Sequence, residues 1–293
     1  MFDTQTLKKF EFLLLASSKE YTGQTSGARR NSKLGGGVEF VDYRDYVYGD
    51  DLRNLDWNVY ARLETPFIKQ FQEEGDLPVY CFLDASRSMG AAAAAKKFEY
   101  AKNLVGALGY ISLARFDSFG VFTFADKLGS TFPLARGKGR FLELARFLDG
   151  VAPRAGVTDA NGSIRAALAK IRKPGMALIV SDCYDPNGLD ASLERLLARR
   201  FDPVVLQIYD ESESNPQDRG DYVFEDAESS ATRTFTVDEN TLKRYRAAFQ
   251  NFIATVRTSC VKRGVRFYST SIGVPFETFL LNVTCDMTNR AVK

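Results

Sequence analysis

The sequence predicts an α/β fold, with a doubly wound, mostly parallel sheet and helices on both faces. From about residue 76 onward, short apolar runs of strand length alternate with longer segments of helical pattern. The runs are apolar at nearly every position, which is typical of strands that are buried on both faces. A chain of 293 residues, of which 45% are hydrophobic and 26% charged, is long enough to bury such a core.

The elements follow from this alternation in order. The runs that predict strands are residues 78–83, 119–124, 131–134, 176–180, 203–209 and 265–270. The segments that predict helices are residues 91–114, 141–148, 162–171, 189–199 and 242–263.

Two domains are predicted, with a boundary near residue 75. Residues 1–75 combine an amphipathic helix over 1–20, a basic Gly- and Ser-rich loop over 21–37 and a β-rich stretch. Residues 76–293 hold the α/β domain, which an acidic insert near 210–230 interrupts. That insert is either a solvated loop or an exposed hairpin that ends with the strand-like run 232–237.

Composition excludes several classes of function. The sequence has no histidine, which removes Ser-His-Asp triads, Cys-His nucleophiles and most zinc sites. A net charge of +2 does not indicate a nucleic-acid partner, and no apolar run is long enough to cross a membrane. Cys81 and Cys183 lie inside or beside apolar runs, as buried thiols do, so we expect a cytoplasmic protein. The glycines at 35–37 and 137–139 match neither a dinucleotide fingerprint nor a P-loop.

The strongest chemical signal is a set of oxygen-bearing side chains at the ends of predicted strands. Asp84, Ser86 and Ser88 follow the strand 78–83 directly, in the spacing DxSxS. Thr158 precedes a predicted helix, and Asp182 follows the strand 176–180. Ligands of open α/β sheets bind at the carboxyl ends of strands, and oxygen donors suit a hard divalent cation. The five residues are therefore expected to converge on a cation site.

This pattern resembles the metal-ion-dependent adhesion site of von Willebrand factor type A domains. The resemblance implies a von Willebrand factor A-like fold and an Mg²⁺ or Mn²⁺ ion that Ser86, Ser88 and Thr158 contact. Asp84 and Asp182 would act partly through water, and a carboxylate of a protein partner would complete the coordination. The chain would then be a binding module and not an enzyme.

Two other functions remain open at this point. A magnesium-dependent phosphatase of the haloacid dehalogenase type would use Asp84 as its nucleophile, but it needs a second aspartate where this sequence has Ser86. A scaffold with an empty site is the other alternative. Asp84→Ala is expected to abolish partner binding if the site holds a cation.

The stretch upstream of the predicted sheet carries a second resemblance. Aromatic and charged residues recur in order between Gly37 and Glu74, and they resemble bacterial domain-of-unknown-function family fifty-eight. The residues that carry the resemblance include Arg44, Asp50, Arg53, Asp56, Trp57 and Arg62. The resemblance implies an adaptor or co-chaperone that works with a MoxR-type AAA+ ATPase or its client. From the residues alone, we expect an ion-pair network that braces a β-hairpin, with Trp57 as a packing anchor.

Overall fold

A computed structural model of the chain describes residues 8–9, 34–72, 78–90, 95–115, 117–217, 219–225 and 232–290. The chain forms two compact units, of which the larger includes Leu77–Asn289 and the smaller includes Thr25–Asp76. The predicted helix over 1–20 lies outside the described residues except for Lys8 and Lys9, which are helical. Most of the predicted loop over 21–37 also lies outside them.

The larger unit is built on a six-stranded sheet with the order β10-β7-β6-β3-β4-β5. All neighbouring strands are parallel except β4 and β5, which are antiparallel. The strands are β3 Val79–Asp84, β4 Ser118–Phe124, β5 Leu128–Arg136, β6 Met176–Ser181, β7 Asp202–Tyr209 and β10 Arg266–Ser271. The mostly parallel sheet that the sequence predicts is therefore confirmed.

Helices cover both faces of this sheet. On one face lie α3 Ala95–Ala114, α4 Phe141–Gly150 and α9 Phe276–Arg290. On the other face lie α5 Ala160–Lys170, α6 Asp190–Ala198 and α8 Glu239–Lys262. Two helices of four residues each, α2 Arg87–Gly90 and α7 Glu211–Ser214, follow β3 and β7.

The central strand β3 shows why the sequence predicted burial on both faces. Val79, Cys81 and Leu83 belong to the core on the α3 face, whereas Tyr80 and Phe82 belong to the core on the α5 face. Alternate side chains of a strand point to opposite faces, so a continuous apolar run serves both cores. The Cys81 thiol is fully buried, as expected.

The strand order reverses between β3 and β6. After β3 the chain adds β4 and β5 on one side, and it then crosses to form β6 on the other side of β3. The helices that follow β3 and β6, α3 and α6, lie on opposite faces of the sheet. Ligands of open α/β sheets bind where the strand order reverses in this way, outside the carboxyl ends of the strands.

Two segments differ from the sequence prediction, and the acidic insert takes the hairpin form that was one of its two predicted alternatives. The strand predicted at 131–134 is the middle of the nine-residue β5, which is an edge strand with one face exposed, so its apolar pattern is weak. The acidic insert forms the hairpin of β8 Gly220–Glu225 and β9 Thr232–Val237, with α7 before it. The helix α9 was not predicted, although Phe276, Phe279, Leu280 and Val283 have helical spacing and pack into the core.

The smaller unit is a two-stranded antiparallel sheet of β1 Leu34–Asp45 and β2 Phe67–Gln72. A 3-10 helix over Leu52–Asn54 and the helix α1 Trp57–Leu63 join the two strands. The expected β-hairpin is therefore present, with helical turns in its connection. Across the described ranges of both units, no helix is both long and apolar enough to cross a membrane.

Candidate functional site

The loop after β3 carries the carboxylate and the two hydroxyls that the sequence analysis selected. The Ser86 N–H donates to Asp84 Oδ1 at 2.9 Å, which closes a tight turn at the end of the strand. The Ser86 and Ser88 hydroxyl oxygens lie 2.9 Å apart. The spacing DxSxS thus places one carboxylate and two hydroxyls on a single turn, as predicted from the sequence.

The end of β6 contacts the same turn. The Ser181 hydroxyl donates to Asp84 Oδ2 at 2.5 Å, and it accepts the Cys183 N–H at 2.8 Å. Cys183 takes a positive φ of 67°, which turns the chain sharply after Asp182. Asp182 is buried beside this contact, so the carboxyl ends of β3 and β6 bring both aspartates to one place.

The loop that carries Thr158 is held against the β3 turn by its backbone. The Arg154 N–H donates to the Ala85 carbonyl at 2.7 Å, and the Asp159 N–H donates to the Ala125 carbonyl at 2.8 Å. Gly90 permits this approach, because a Cβ at that position would lie 1.9 Å from Pro153 Cγ. Thr158 is buried, and Asp159 begins α5 as its N-cap by accepting the Gly162 N–H.

Burial and the negative charge of Asp182 shift the pKa of Asp84 in the same direction. Burial raises the pKa of the Asp84 carboxyl, and the neighbouring charge of Asp182 raises it further. The hydrogen bonds from Ser181 and Ser86 favour the charged form but do not offset these two effects. Asp84 is 1% exposed, and no lysine or arginine of the described ranges pairs with it.

Asp182 has a cationic partner, in contrast to Asp84. The Lys97 ammonium donates to Asp182 Oδ2 at 2.9 Å and to Glu213 Oε1 at 2.7 Å. Lys97 lies on α3 and is 0% exposed. Burial lowers the pKa of Lys97, but the charges of Asp182 and Glu213 raise it, and the net change is a rise.

The donor set suits a hard divalent cation. It consists of carboxylate and hydroxyl oxygens, and Asp84 supplies a buried charge that the described part of the chain leaves without a counter-ion. Such oxygens are what Mg²⁺ and Mn²⁺ prefer, and Mg²⁺ needs few protein ligands because it keeps several waters. Nowhere in the described ranges do three acidic or cysteine side chains gather into a metal cluster, so this site depends on hydroxyls.

Three side chains of this region were not predicted from the sequence. Ser181 was visible only as the last residue of an apolar strand, one position before Asp182. Lys97 and Glu213 are 116 residues apart in the sequence, so no local pattern could pair them. A lysine in an alanine-rich helix normally predicts a solvated position, and here it is buried.

The smaller unit contains ion pairs among the predicted charged residues. Arg44 Nη2 lies 2.8 Å from Asp50 Oδ1, as the predicted network requires. Arg53 pairs with Asp51, with Nε and Oδ1 3.3 Å apart, and both side chains are exposed. Arg62 is exposed on α1, and no ion pair links it to the network in the described residues, so that part of the prediction is wrong.

Asp56 is the polar centre of the smaller unit. Its Oδ1 accepts the N–H groups of Asn58 and Val59, which begins α1. Its Oδ2 accepts the Tyr43 hydroxyl at 2.8 Å and lies 3.1 Å from Lys69 Nζ. These contacts join β1, β2 and α1 through one buried carboxylate.

The expectation that Trp57 anchors the packing is wrong for the described structure. Its indole is 62% exposed and meets Tyr60 edge to face at 6.2 Å between ring centroids. Trp57 is the first residue of α1 and follows Asp56 directly. It belongs to a group of exposed apolar side chains on this unit, with Val47, Tyr48, Leu52, Tyr60 and Leu63.

Solved structures with similar folds have low sequence identity to the chain. A conserved hypothetical protein BatB from Bacteroides thetaiotaomicron has a TM-score of 0.46 and 12% identity, and the match covers 74% of this chain and 100% of that one. An aerotolerance-related membrane protein from Bacteroides fragilis has a TM-score of 0.48 and 14% identity, over 73% and 99%. A mussel byssus matrix protein with a zinc-occupied MIDAS motif has a TM-score of 0.41 and 15% identity, over 71% and 45%.

Sequence relatives come from mycobacteria. An uncharacterized protein of Mycobacterium tuberculosis is 27% identical over 209 residues, which are 70% of this chain and 65% of that protein. The chain thus spans less than two thirds of that relative. The model of the family described as "Protein of unknown function DUF58" matches residues 42–258, a range that includes Asp56 of the smaller unit and all five predicted ligands of the larger. The chain therefore belongs to the DUF58 family.

Proposed function

We propose that the chain is a protein-binding module whose carboxyl-end loops hold one divalent cation, Mg²⁺ or Mn²⁺. Asp84, Ser86 and Ser88 would hold the cation, with Thr158 and Asp182 beside them. The observation that carries the proposal is the buried Asp84 carboxylate, which lies next to two hydroxyls and has no cationic partner in the described residues. A buried charge of this kind is costly unless something neutralises it, and a cation at the hydroxyls would do so.

The cation would dock a carboxylate of a protein partner. Ser88 is only half-buried, so a partner oxygen could reach a cation held beside it from that side. Arg87 lies between the two serines, and Arg154 lies on the chain segment bonded to Ala85. Two arginines at the rim favour an acidic partner surface, since guanidinium groups bind carboxylates well.

The partner that the family resemblance suggests is a MoxR-type AAA+ ATPase or its client, so the role would be that of an adaptor or co-chaperone. A phosphatase reaction is less well supported by this geometry. The residue two positions after Asp84 is Ser86, whose hydroxyl contacts Ser88. The second carboxylic acid that such a phosphatase needs is not at that position.

Thermal unfolding of the full chain tests cation binding. We expect the melting temperature of the wild type to rise with MgCl₂ or MnCl₂ relative to EDTA, because a ligand at about a hundred times its dissociation constant adds roughly 2.7 kcal/mol. Asp84→Ala is expected to lose this rise. Asp51→Ala, which removes an exposed aspartate of the smaller unit, is the matched control and should keep it.

A pull-down then tests the partner. A MoxR-type ATPase from the same genome is expected to bind the wild type in Mg²⁺ and to be released by EDTA, while Asp84→Ala does not bind. Equal binding by the wild type and Asp84→Ala would rule out cation-dependent docking. The absence of a cation-dependent rise in melting temperature, together with that result, would favour a scaffold with an empty site.

A further inference from the structure

Lys97 is the most unusual charge in the larger unit. It lies in the first turn of α3, its side chain is fully buried, and its ammonium contacts two carboxylates from distant parts of the chain. It also lies 5.5 Å from the centroid of the Tyr184 ring, which stacks on Phe252 of α8. Burying a lysine is costly unless its charge is paired and its donors are used, so this arrangement needs all of these partners.

One of the two carboxylates belongs to the candidate cation site. Lys97 holds Asp182 Oδ2, whereas Asp182 Oδ1 accepts the Tyr184 N–H at 3.2 Å. Asp182 therefore already has a counter-ion, and Asp84 has none among the described residues. A divalent cation between the two aspartates would lie close to a fixed positive charge, which opposes its binding in a buried site.

The other carboxylate, Glu213, comes from α7 and is held in place by its own helix. Glu213 Oε2 accepts the Asp210 N–H at 2.8 Å, and Asp210 Oδ1 accepts the Ser212 N–H at 2.8 Å, which together form a capping box. Glu213 thus presents its remaining oxygen to Lys97 from a fixed position. Its negative charge offsets part of the positive charge that Lys97 brings to Asp182.

We propose that Lys97 is a built-in counter-ion that lowers the affinity of the Asp84–Asp182 site for divalent cations, and that Glu213 moderates this effect. The inference rests on the proposed function, because it assumes that the site takes a divalent cation. Lys97 is then a positioning residue that acts through Asp182. Because Lys97 neutralises the charge of Asp182 and not that of Asp84, Asp84 alone supplies the charge that the cation must neutralise.

The inference predicts opposite effects for two substitutions. Lys97→Met removes the positive charge and keeps most of the side-chain volume, so Mn²⁺ should bind at least about tenfold more tightly. Glu213→Gln leaves Lys97 with Asp182 as its only carboxylate, so Mn²⁺ should bind more weakly. Binding of Mn²⁺ to the full chain is measured by electron paramagnetic resonance of the free ion and by calorimetry.

Two further variants serve as controls. Lys102→Met removes a partly buried lysine of the same helix, which pairs with the exposed Glu99 and not with the candidate site, so it should leave Mn²⁺ affinity unchanged. Lys97→Met/Glu213→Gln removes both charges, so it should fold even if Lys97→Met alone does not. The double variant should bind Mn²⁺ more tightly than the wild type. Its affinity for Mn²⁺ should be close to that of Lys97→Met, because Glu213 acts on the site through Lys97.

The outcomes separate this inference from the proposed function. If the wild type binds Mn²⁺ and every substitution at Lys97 and Glu213 weakens binding, the cation site stands and Lys97 is only a packing and folding residue. If the wild type does not bind Mn²⁺ but the double variant does, Lys97 replaces the divalent ion and the proposed function is wrong. If none of these proteins binds Mn²⁺, both proposals are wrong.

Discussion

Asp84 of the larger unit and Asp56 of the smaller unit are both buried aspartates, but their surroundings shift the pKa in opposite directions. The hydrogen bond from Tyr43, with those from Lys69 and two backbone N–H groups, lowers the pKa of Asp56 to about 2. Burial and the charge of Asp182 raise the pKa of Asp84. Four donors of its own unit satisfy the charge of Asp56, whereas no lysine or arginine of the described ranges pairs with Asp84.

The two aspartates also differ in how the fold brings their partners to them. Asp56 begins α1, and two of its donors follow within three residues. Asp84 depends on Ser181, which is 97 residues away, and on a loop held against the β3 turn by close packing at Gly90. The site around Asp84 should therefore be sensitive to changes in packing that leave Asp56 unaffected.

Gly90→Ala is expected to have the largest effect. The added Cβ would lie 1.9 Å from Pro153 Cγ, so the β3 turn and the Thr158 loop must separate. Overpacking of this kind costs about 1–3 kcal/mol, and the stabilisation by Mg²⁺ or Mn²⁺ should be lost as well. Urea unfolding followed by circular dichroism, with and without Mn²⁺, measures both effects.

Gly150→Ala is the matched control for that substitution, because a Cβ at Gly150 meets no atom within 4 Å. It should retain both the stability of the wild type and the response to Mn²⁺. A full response to Mn²⁺ in Gly90→Ala would show that the contact between the two loops does not shape the cation site.

Substitution of aspartate by asparagine at both positions should have opposite effects in EDTA. Asp84→Asn removes a buried charge that lacks a counter-ion among the described residues, so it should raise the free energy of unfolding at pH 7 by at least about 1.4 kcal/mol, the equivalent of one pKa unit. Asp56→Asn removes the charge that holds Lys69, so it should lower the stability of the smaller unit. Urea unfolding in EDTA compares the two variants.

In saturating Mn²⁺ the wild type should have a higher free energy of unfolding than Asp84→Asn, which is the reverse of their order in EDTA. The reason is that only the wild type gains the binding energy of the ion. Destabilisation by Asp84→Asn in EDTA would contradict the interpretation, since it would show that the chain already satisfies the Asp84 charge.

The sequence predicted those parts of the site that are local in the chain. Asp84, Ser86 and Ser88 follow an apolar run directly, and Asp182 ends another, so the ends of strands were sufficient to find them. Lys97 and Glu213 were not predicted, because their pairing depends on how α3 and α7 come together beyond the carboxyl ends of the strands. The interpretation of Trp57 was wrong because an aromatic residue next to a helix N-cap can be exposed as well as packed.

Acid titration of the smaller unit should show the smallest effect. The folded-state pKa of Asp56, about 2, lies below its usual value in unfolded chains, near 3.9. Its contribution to stability is therefore complete above about pH 4 and is lost as the pH falls from about 4 toward 2. Trp57 is the only tryptophan and follows Asp56 directly, so its fluorescence reports on this region.

The comparison with Asp56→Asn isolates this one group from the other carboxylates that titrate in acid. Because asparagine does not ionise, the difference in urea midpoint between the wild type and Asp56→Asn should be constant above about pH 4 and shrink toward pH 2. A difference that stays constant down to pH 2 would mean that the Asp56 charge does not contribute to stability. The contacts with Tyr43 and Lys69 would then matter only for their geometry.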